Sequence, residues 1–193
     1  MKYLLLIFSI VFFFLTSCTT IPKSSPKEAI VDISQWDIHI GYGVMIDDSH
    51  IMTATHVYSE CQKITCRYRD IYGDSLVLSA LLPDISWDRV ILSYTEKKRE
   101  KLKFADLSSN MSVFALTSYS RSWQRKEGKI IALDRAYIGY DTLLSGTLFT
   151  GAIETDLVLE KGESGLPLWS LSWDLVWVMS ASDPAGKRGY IVR

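Results

Sequence analysis

An all-β domain, a barrel or a sandwich, is predicted by three features of this chain. Short apolar and β-branched runs recur along it, turn-forming residues separate them, and no stretch keeps a long helical apolar period. Of the 193 residues, 48% are hydrophobic and 12% aromatic, which is enough apolar matter for a core. The formal net charge of -1 gives no strong field, so nucleic acid is not an expected partner.

The strand candidates follow in order. Ala29–Ile33 and Ile38–Ile46 alternate or run apolar, and Ile51–Thr53 resumes after the turn Asp47-Asp48-Ser49-His50. Ile64–Tyr68, Leu76–Leu82 and Val90–Tyr94 come next, with turn signals at Tyr72-Gly73-Asp74 and Pro83-Asp84. The mixed-sign run from Glu96 to Lys103 reads as a solvated connection between two halves. Beyond it lie Ser112–Leu116, Lys129–Leu133, Thr147–Thr150, Ala152–Leu159, Leu175–Met179 and Gly189–Val192. Trp169, Trp173 and Trp177 read as core and rim residues, with partner contacts as the competing role.

The N-terminus is of another kind. Lys2 precedes an apolar run from Leu4 to Leu15, which has signal-peptide length and is too short to span a bilayer comfortably. The sequence Leu15-Thr16-Ser17-Cys18 resembles a bacterial lipobox, which implies cleavage before Cys18 and acylation of its thiol. Residues 1–17 are then a lipoprotein signal peptide, and 18–28 a lipidated cysteine with a Pro/Ser/Thr-rich tether. Thr19 is not the aspartate associated with inner-membrane retention, so the expected location is the outer membrane, facing the periplasm. Export places Cys61 and Cys66 in an oxidising compartment, where a turn could join them as a local disulfide. No Cys/His cluster has zinc spacing, and neither a metal nor another cofactor is expected.

Three stretches carry chemistry. In Gly162-Glu163-Ser164-Gly165-Leu166-Pro167, glycines on both sides of a serine allow a sharp turn and let backbone N–H groups face a substrate oxygen. Serine needs a base, and the chain offers three histidines. His39 sits in an alternating strand and His50 in a polar turn, which leaves His56, in Thr53-Ala54-Thr55-His56-Val57. An orienting acid is expected at Asp88, because the apolar strand Val90-Ile91-Leu92 begins just after it; Asp84 is the rival.

Together these stretches resemble the trypsin-like (chymotrypsin-fold) serine proteases of compact bacterial type, in the order His56, Asp88, Ser164. The resemblance implies two packed six-stranded antiparallel β-barrels, about 29–95 and 104–193, within a protease domain spanning 29–193, with the site in the cleft between them. It implies an oxyanion hole from the N–H groups of Gly162 and Ser164. It assigns Ser180 to support of the acid, and Ala181 and Ser182 to substrate binding. Val158, six residues before the serine, would lie at the floor of the specificity pocket, which favours a small or apolar residue before the scissile bond. Leu166 replaces a usual glycine, Val90 a usual alanine and Glu163 a usual aspartate. In zymogen-activated relatives that aspartate pairs with a freshly cut N-terminus, a route a lipidated N-terminus closes. The implied function is a monomeric, membrane-anchored endopeptidase acting on proteins or peptides. The alternative is an idle barrel pair kept as a membrane-tethered binding module.

Overall fold

The computed structural model describes residues 25–36, 38–79, 88–94, 101–119, 122–138, 146, 148–183 and 187–191. The expected signal peptide 1–17, the expected lipidation site Cys18 and the rival acid Asp84 lie outside them. The first sheet contains β1 (Ile30–Gln35), β2 (Ile38–Met45), β3 (His50–Thr53), β4 (Arg67–Arg69), β5 (Ser75–Leu76), β6 (Leu78–Ser79) and β7 (Val90–Tyr94). Its order is β5-β4-β1-β2-β3-β7-β6. The second contains β8 (Ser112–Tyr119), β9 (Ser122–Ile138), β10 (Leu148–Thr155), β11 (Pro167–Ser170), β12 (Leu175–Val178), β13 (Ala181–Asp183) and β14 (Arg188–Ile191). Its order is β12-β11-β8-β9-β10-β14-β13.

Both sheets are closed by a strand that changes partners along its length. Only Val77 separates β5 from β6, yet these occupy opposite edges of the first sheet. Met179 and Ser180 separate β12 from β13 in the same way in the second. Counted as continuous strands, each antiparallel sheet has the six expected for a small barrel, closed by the strand that spans both ends of its order.

Burial follows the pleat. Val90, Leu92 and Tyr94 point inward along β7, with half-buried residues between them. The first barrel's core gathers these with Val31, Ile33, Met45, Ile51 and Leu76. A second, larger core joins the barrels: Ile30, Tyr42, Val44 and Met52 pack with Phe114, Ile130, Ile153, Leu168 and Trp169. Residues 101–107 stitch the halves together. Leu102 N–H donates to the Ile46 carbonyl of the first barrel, and Ala105 N–H to that of Leu175 in the second.

Several elements differ from the sequence expectation. Pro26–Ala29 forms a 3-10 turn with Pro26 and Ala29 buried, so packing begins within the segment read as tether. The expected strands at Thr147–Thr150 and Ala152–Leu159 merge into one, β10, which ends at Thr155 short of the expected Leu159 and whose register slips between Phe149 and Ala152 around Gly151. β9 extends far beyond Lys129–Leu133, pairing with β8 through its first half and β10 through its second. One helix, α1 (Thr55–Lys63), follows β3. Its threonine, valine, tyrosine and cysteine are poor helix formers, and tertiary contacts from Val57 and Tyr58 hold it instead. The expected disulfide is present, tying Cys61 in α1 to Cys66 before β4. Trp169 is wholly buried, Trp177 is half-buried beside Phe104, and Trp173 sits at a turn, 38% exposed with an edge contact to Phe114.

Candidate active site

α1 begins without a cap of its own, because its N-cap residue, Ala54, has no side-chain oxygen. Asp88 supplies one from the head of β7. Its Oδ1 accepts the His56 backbone N–H at 3.2 Å, and its Oδ2 accepts the His56 Nδ1–H at 2.9 Å. The positive end of the helix favours a carboxylate there. Asp88 is only 2% exposed. Its third donor comes from the other barrel: Ser180 Oγ lies 2.6 Å from Asp88 Oδ2. Ser180 holds this place because the strand turns from β12 to β13 at Met179 and Ser180, where Ser180 N–H is fixed to the Tyr190 carbonyl.

Ser164 lies on a tight turn tied to both barrels. Its carbonyl accepts the Tyr42 N–H at 2.8 Å, and the next N–H, that of Gly165, donates to Met179. Gly165 has φ +81, and a Cβ there would stand 1.9 Å from the Tyr42 carbonyl oxygen, so only glycine fits. A Cβ on Gly41 would lie 2.8 Å from Val57 Cγ2 and 2.9 Å from the Ser164 carbonyl oxygen. Bare glycine at this point therefore lets the start of α1 approach the serine turn. The Ser164 hydroxyl has no hydrogen bond to a described residue, His56 included. Such contacts are often open in unliganded sites and tighten with substrate.

The turn satisfies most of its own polar groups. Glu163 N–H donates to the Glu160 carbonyl, Leu166 N–H to the Glu163 carbonyl, and Glu160 N–H to Glu163 Oε2. The N–H groups of Gly162 and Ser164 have no partner among the described residues. Gly162 has φ +90, the left-handed conformation that lets the chain present them.

Two features of this turn were not legible in the sequence. Lys126 Nζ, from β9, reaches the buried Glu163 Oε2 at 2.6 Å and Glu160 Oε1 at 3.0 Å. Burial works against the Lys126 charge, but the two carboxylates outweigh it and hold its pKa above the usual lysine value. An acid beside the nucleophile called for a cation, but nothing in the spacing pointed to Lys126. His39, set aside as a strand residue, contacts the Gly162 carbonyl.

The remaining expected site residues fall into three groups. Val158 is half-buried on the segment before the serine, between buried Leu157 and Leu159. Ala181 and Ser182 lie on β13, and Ser182 Oγ bridges to the Leu159 carbonyl at 3.0 Å. Leu166, in place of the usual glycine, is wholly buried in the core shared by the barrels.

No family model and no curated protein matches the chain. Solved structures do match. The active form of the Rv3671c protease from M. tuberculosis gives a TM-score of 0.69 at 18% identity, over 86% of this chain and 76% of that one. The MamO protease domain from Magnetospirillum magneticum, in its apo form, gives 0.67 at 17% identity, over 88% and 93%. Deg5 gives 0.60 at 22% identity, over 83% and 81%. With its two closed six-stranded barrels, the chain has the chymotrypsin-type fold of the trypsin-like serine protease domains.

Proposed function

We propose that this protein is a serine endopeptidase that cleaves protein or peptide substrates through an acyl-enzyme. The observation that carries this is the pair of N–H groups, Gly162 and Ser164, without a partner among the described residues, on a turn where the N–H groups of Glu160, Glu163, Gly165 and Leu166 are bonded. Unsatisfied donors at a glycine turn cost stability and suit an oxyanion. In the proposed reaction His56 Nε2 removes the Ser164 proton as Oγ attacks the carbonyl. The two N–H groups receive the developing oxyanion, each contributing about 3 kcal/mol. Asp88 keeps the proton on Nδ1 and stabilises the imidazolium, which then protonates the leaving amine. Substrate backbone would pair along β13, whose one neighbour among the described strands is β14.

A fluorophosphonate probe tests this directly, since it labels only an activated serine. The parent should be labelled at Ser164 and should hydrolyse peptides, and Ser164→Ala should fold normally and do neither. A parent that resists the probe would instead favour an idle binding module.

We also propose that acylated Cys18 tethers this domain to the outer membrane, facing the periplasm. The support is the lipobox-like Leu15-Thr16-Ser17-Cys18 after an apolar run. Metabolic labelling with a palmitate analogue should be lost in Cys18→Ala, and persistence of the label would rule the tether out.

A further inference from the structure

We propose that His39, as an imidazolium paired with Asp32, is a positioning residue that clamps the oxyanion turn through the Gly162 carbonyl, and that its deprotonation releases the turn. The proposal rests on the peptidase function above for its effect on turnover.

The geometry requires two donors. His39 Nδ1 lies 2.6 Å from Asp32 Oδ1, and Nε2 lies 2.8 Å from the Gly162 carbonyl oxygen. A carbonyl oxygen only accepts, and so does an ionised carboxylate; a neutral imidazole has a single N–H. Both contacts are met together by the charged ring. On deprotonation the remaining N–H stays with the carboxylate, the stronger acceptor. The Gly162 oxygen then faces a ring lone pair, and the clamp becomes repulsive.

The carbonyl matters because of what shares its peptide plane. The plane between Gly162 and Glu163 is held at its oxygen by His39 and at its N–H by the Glu160 carbonyl, 3.0 Å away. Fixing that plane fixes the conformation of Gly162, and with it the direction of its own N–H, the proposed oxyanion donor. The groups facing His39 come from three elements. Asp32 lies on β1, the Tyr42 ring on β2 with its centroid 4.4 Å away, and the Glu163 carboxylate on the turn. The Tyr42 phenol, whose pKa burial pushes up, stays neutral here. Burial opposes the His39 charge, but the Asp32 hydrogen bond and charge, the Gly162 carbonyl and the Glu163 charge outweigh it and raise its pKa. For a raised histidine the charged form is fully present below the unperturbed value, about 6.5, and is lost as pH rises through the folded one. The release therefore falls above the unperturbed histidine value, on the high-pH limb of the profile.

The test compares pH profiles of peptide hydrolysis for the parent, His39→Gln and Asp32→Asn, with nitrogen-15 NMR of the histidine rings in the full-length parent. In the parent, kcat should fall about tenfold along an alkaline limb with KM nearly unchanged, a fraction of the roughly 10²–10³ for losing an oxyanion donor. Glutamine can donate to Gly162 without titrating, so His39→Gln should flatten the limb. Asp32→Asn removes the pairing charge and should move the limb to lower pH. An unchanged limb in His39→Gln overturns the proposal, and so does a singly protonated His39 ring at about pH 6, below its unperturbed pKa. If no variant hydrolyses peptide, the peptidase function fails and NMR alone decides the clamp. Amide shifts of Glu163 and Ser164 that follow the His39 titration sustain it, and shifts that ignore it overturn it.

Discussion

Asp88 holds His56 at two points, the backbone N–H at 3.2 Å through Oδ1 and the ring Nδ1–H at 2.9 Å through Oδ2. One carboxylate thus both caps α1 and orients the ring that α1 carries. Ser180, 2.6 Å from Oδ2, adds a donor from the second barrel, so the alignment of His56 depends on how the barrels are docked. Folding and the proposed chemistry share these contacts.

Asp88→Asn should therefore damage both. An amide in place of the carboxylate favours the wrong ring tautomer, and kcat should drop by about 10⁴. A buried carboxylate with three donors is replaced by a group that accepts at one atom, so the unfolding free energy should fall by about 1–3 kcal/mol. Ser180→Ala keeps both His56 contacts and should cost kcat/KM about tenfold, the low end for losing a hydrogen bond to a charged group. Peptide kinetics and urea unfolding measure these effects. Full turnover in Asp88→Asn would reduce Asp88 to a helix cap.

The barrels were legible because Ile30–Ile33, Val90–Tyr94 and similar runs alternate or cluster with the strand period, with turn residues between them. The serine turn and His56 were legible as local motifs, and Asp88 as an acid heading an apolar strand. The choice over Asp84, which lies outside the described residues, rested on that strand, and Asp88 Oδ2 stands 2.9 Å from His56 Nδ1. What was not legible depends on long-range contacts. Lys126 lies 37 residues from Glu163, and His39 lies 123 from Gly162, so no local pattern connects them. The helix α1 escaped notice because its residues favour a helix only once Val57 and Tyr58 are buried.

Two glycines with similar backbones should respond differently to alanine. Gly165 has φ +81 and no room, with the Tyr42 oxygen 1.9 Å and Thr53 Oγ1 2.7 Å from a Cβ. Gly73 has φ +85 and nothing within 4 Å. Gly73→Ala should cost about 1–2 kcal/mol, the left-handed penalty alone. Gly165→Ala adds an unrelievable backbone clash and should exceed about 4 kcal/mol, enough to prevent folding of a marginal domain. Thermal unfolding of the two variants checks the contrast. Equal losses would show that the serine turn can shift away from Tyr42.

Lys126→Met should loosen the serine turn. Glu163 Oε2 would keep only the Glu160 N–H, leaving a buried charge without its cation. Breaking a fully buried pair costs about 3–5 kcal/mol; Lys126 is 22% exposed, so about 2–3 kcal/mol is expected. The pKa of Lys126 is raised, so this stabilisation is complete at neutral pH and is lost only as pH rises through the folded lysine value. Glu163→Gln should remove most of the coupling in a double-mutant cycle read by denaturant midpoint. Additive losses would mean that the pair does not hold the turn.

In the proposed protease, residues 157–161 and β13 would wall the specificity pocket, and neither stretch holds a buried acid. By the resemblance Val158 would stand where a carboxylate receives lysine or arginine, and Glu160 and Asp183 are both exposed. Ser182 Oγ donates to the Leu159 carbonyl at 3.0 Å, a cross-tie that would limit the depth of such a pocket. Cleavage should therefore follow small apolar residues, by about 10-fold or more in kcat/KM over lysine and arginine, since a cation there would be left unpaired. Ser182→Gly removes the cross-tie and should raise kcat/KM for larger apolar residues relative to alanine, each added methylene being worth about 1–3 kcal/mol in a fitted pocket. A peptide library profiled with both proteins reads the two effects separately. Strict cleavage after lysine or arginine would exclude this pocket, and an unchanged size profile in Ser182→Gly would show that the tie does not set its depth.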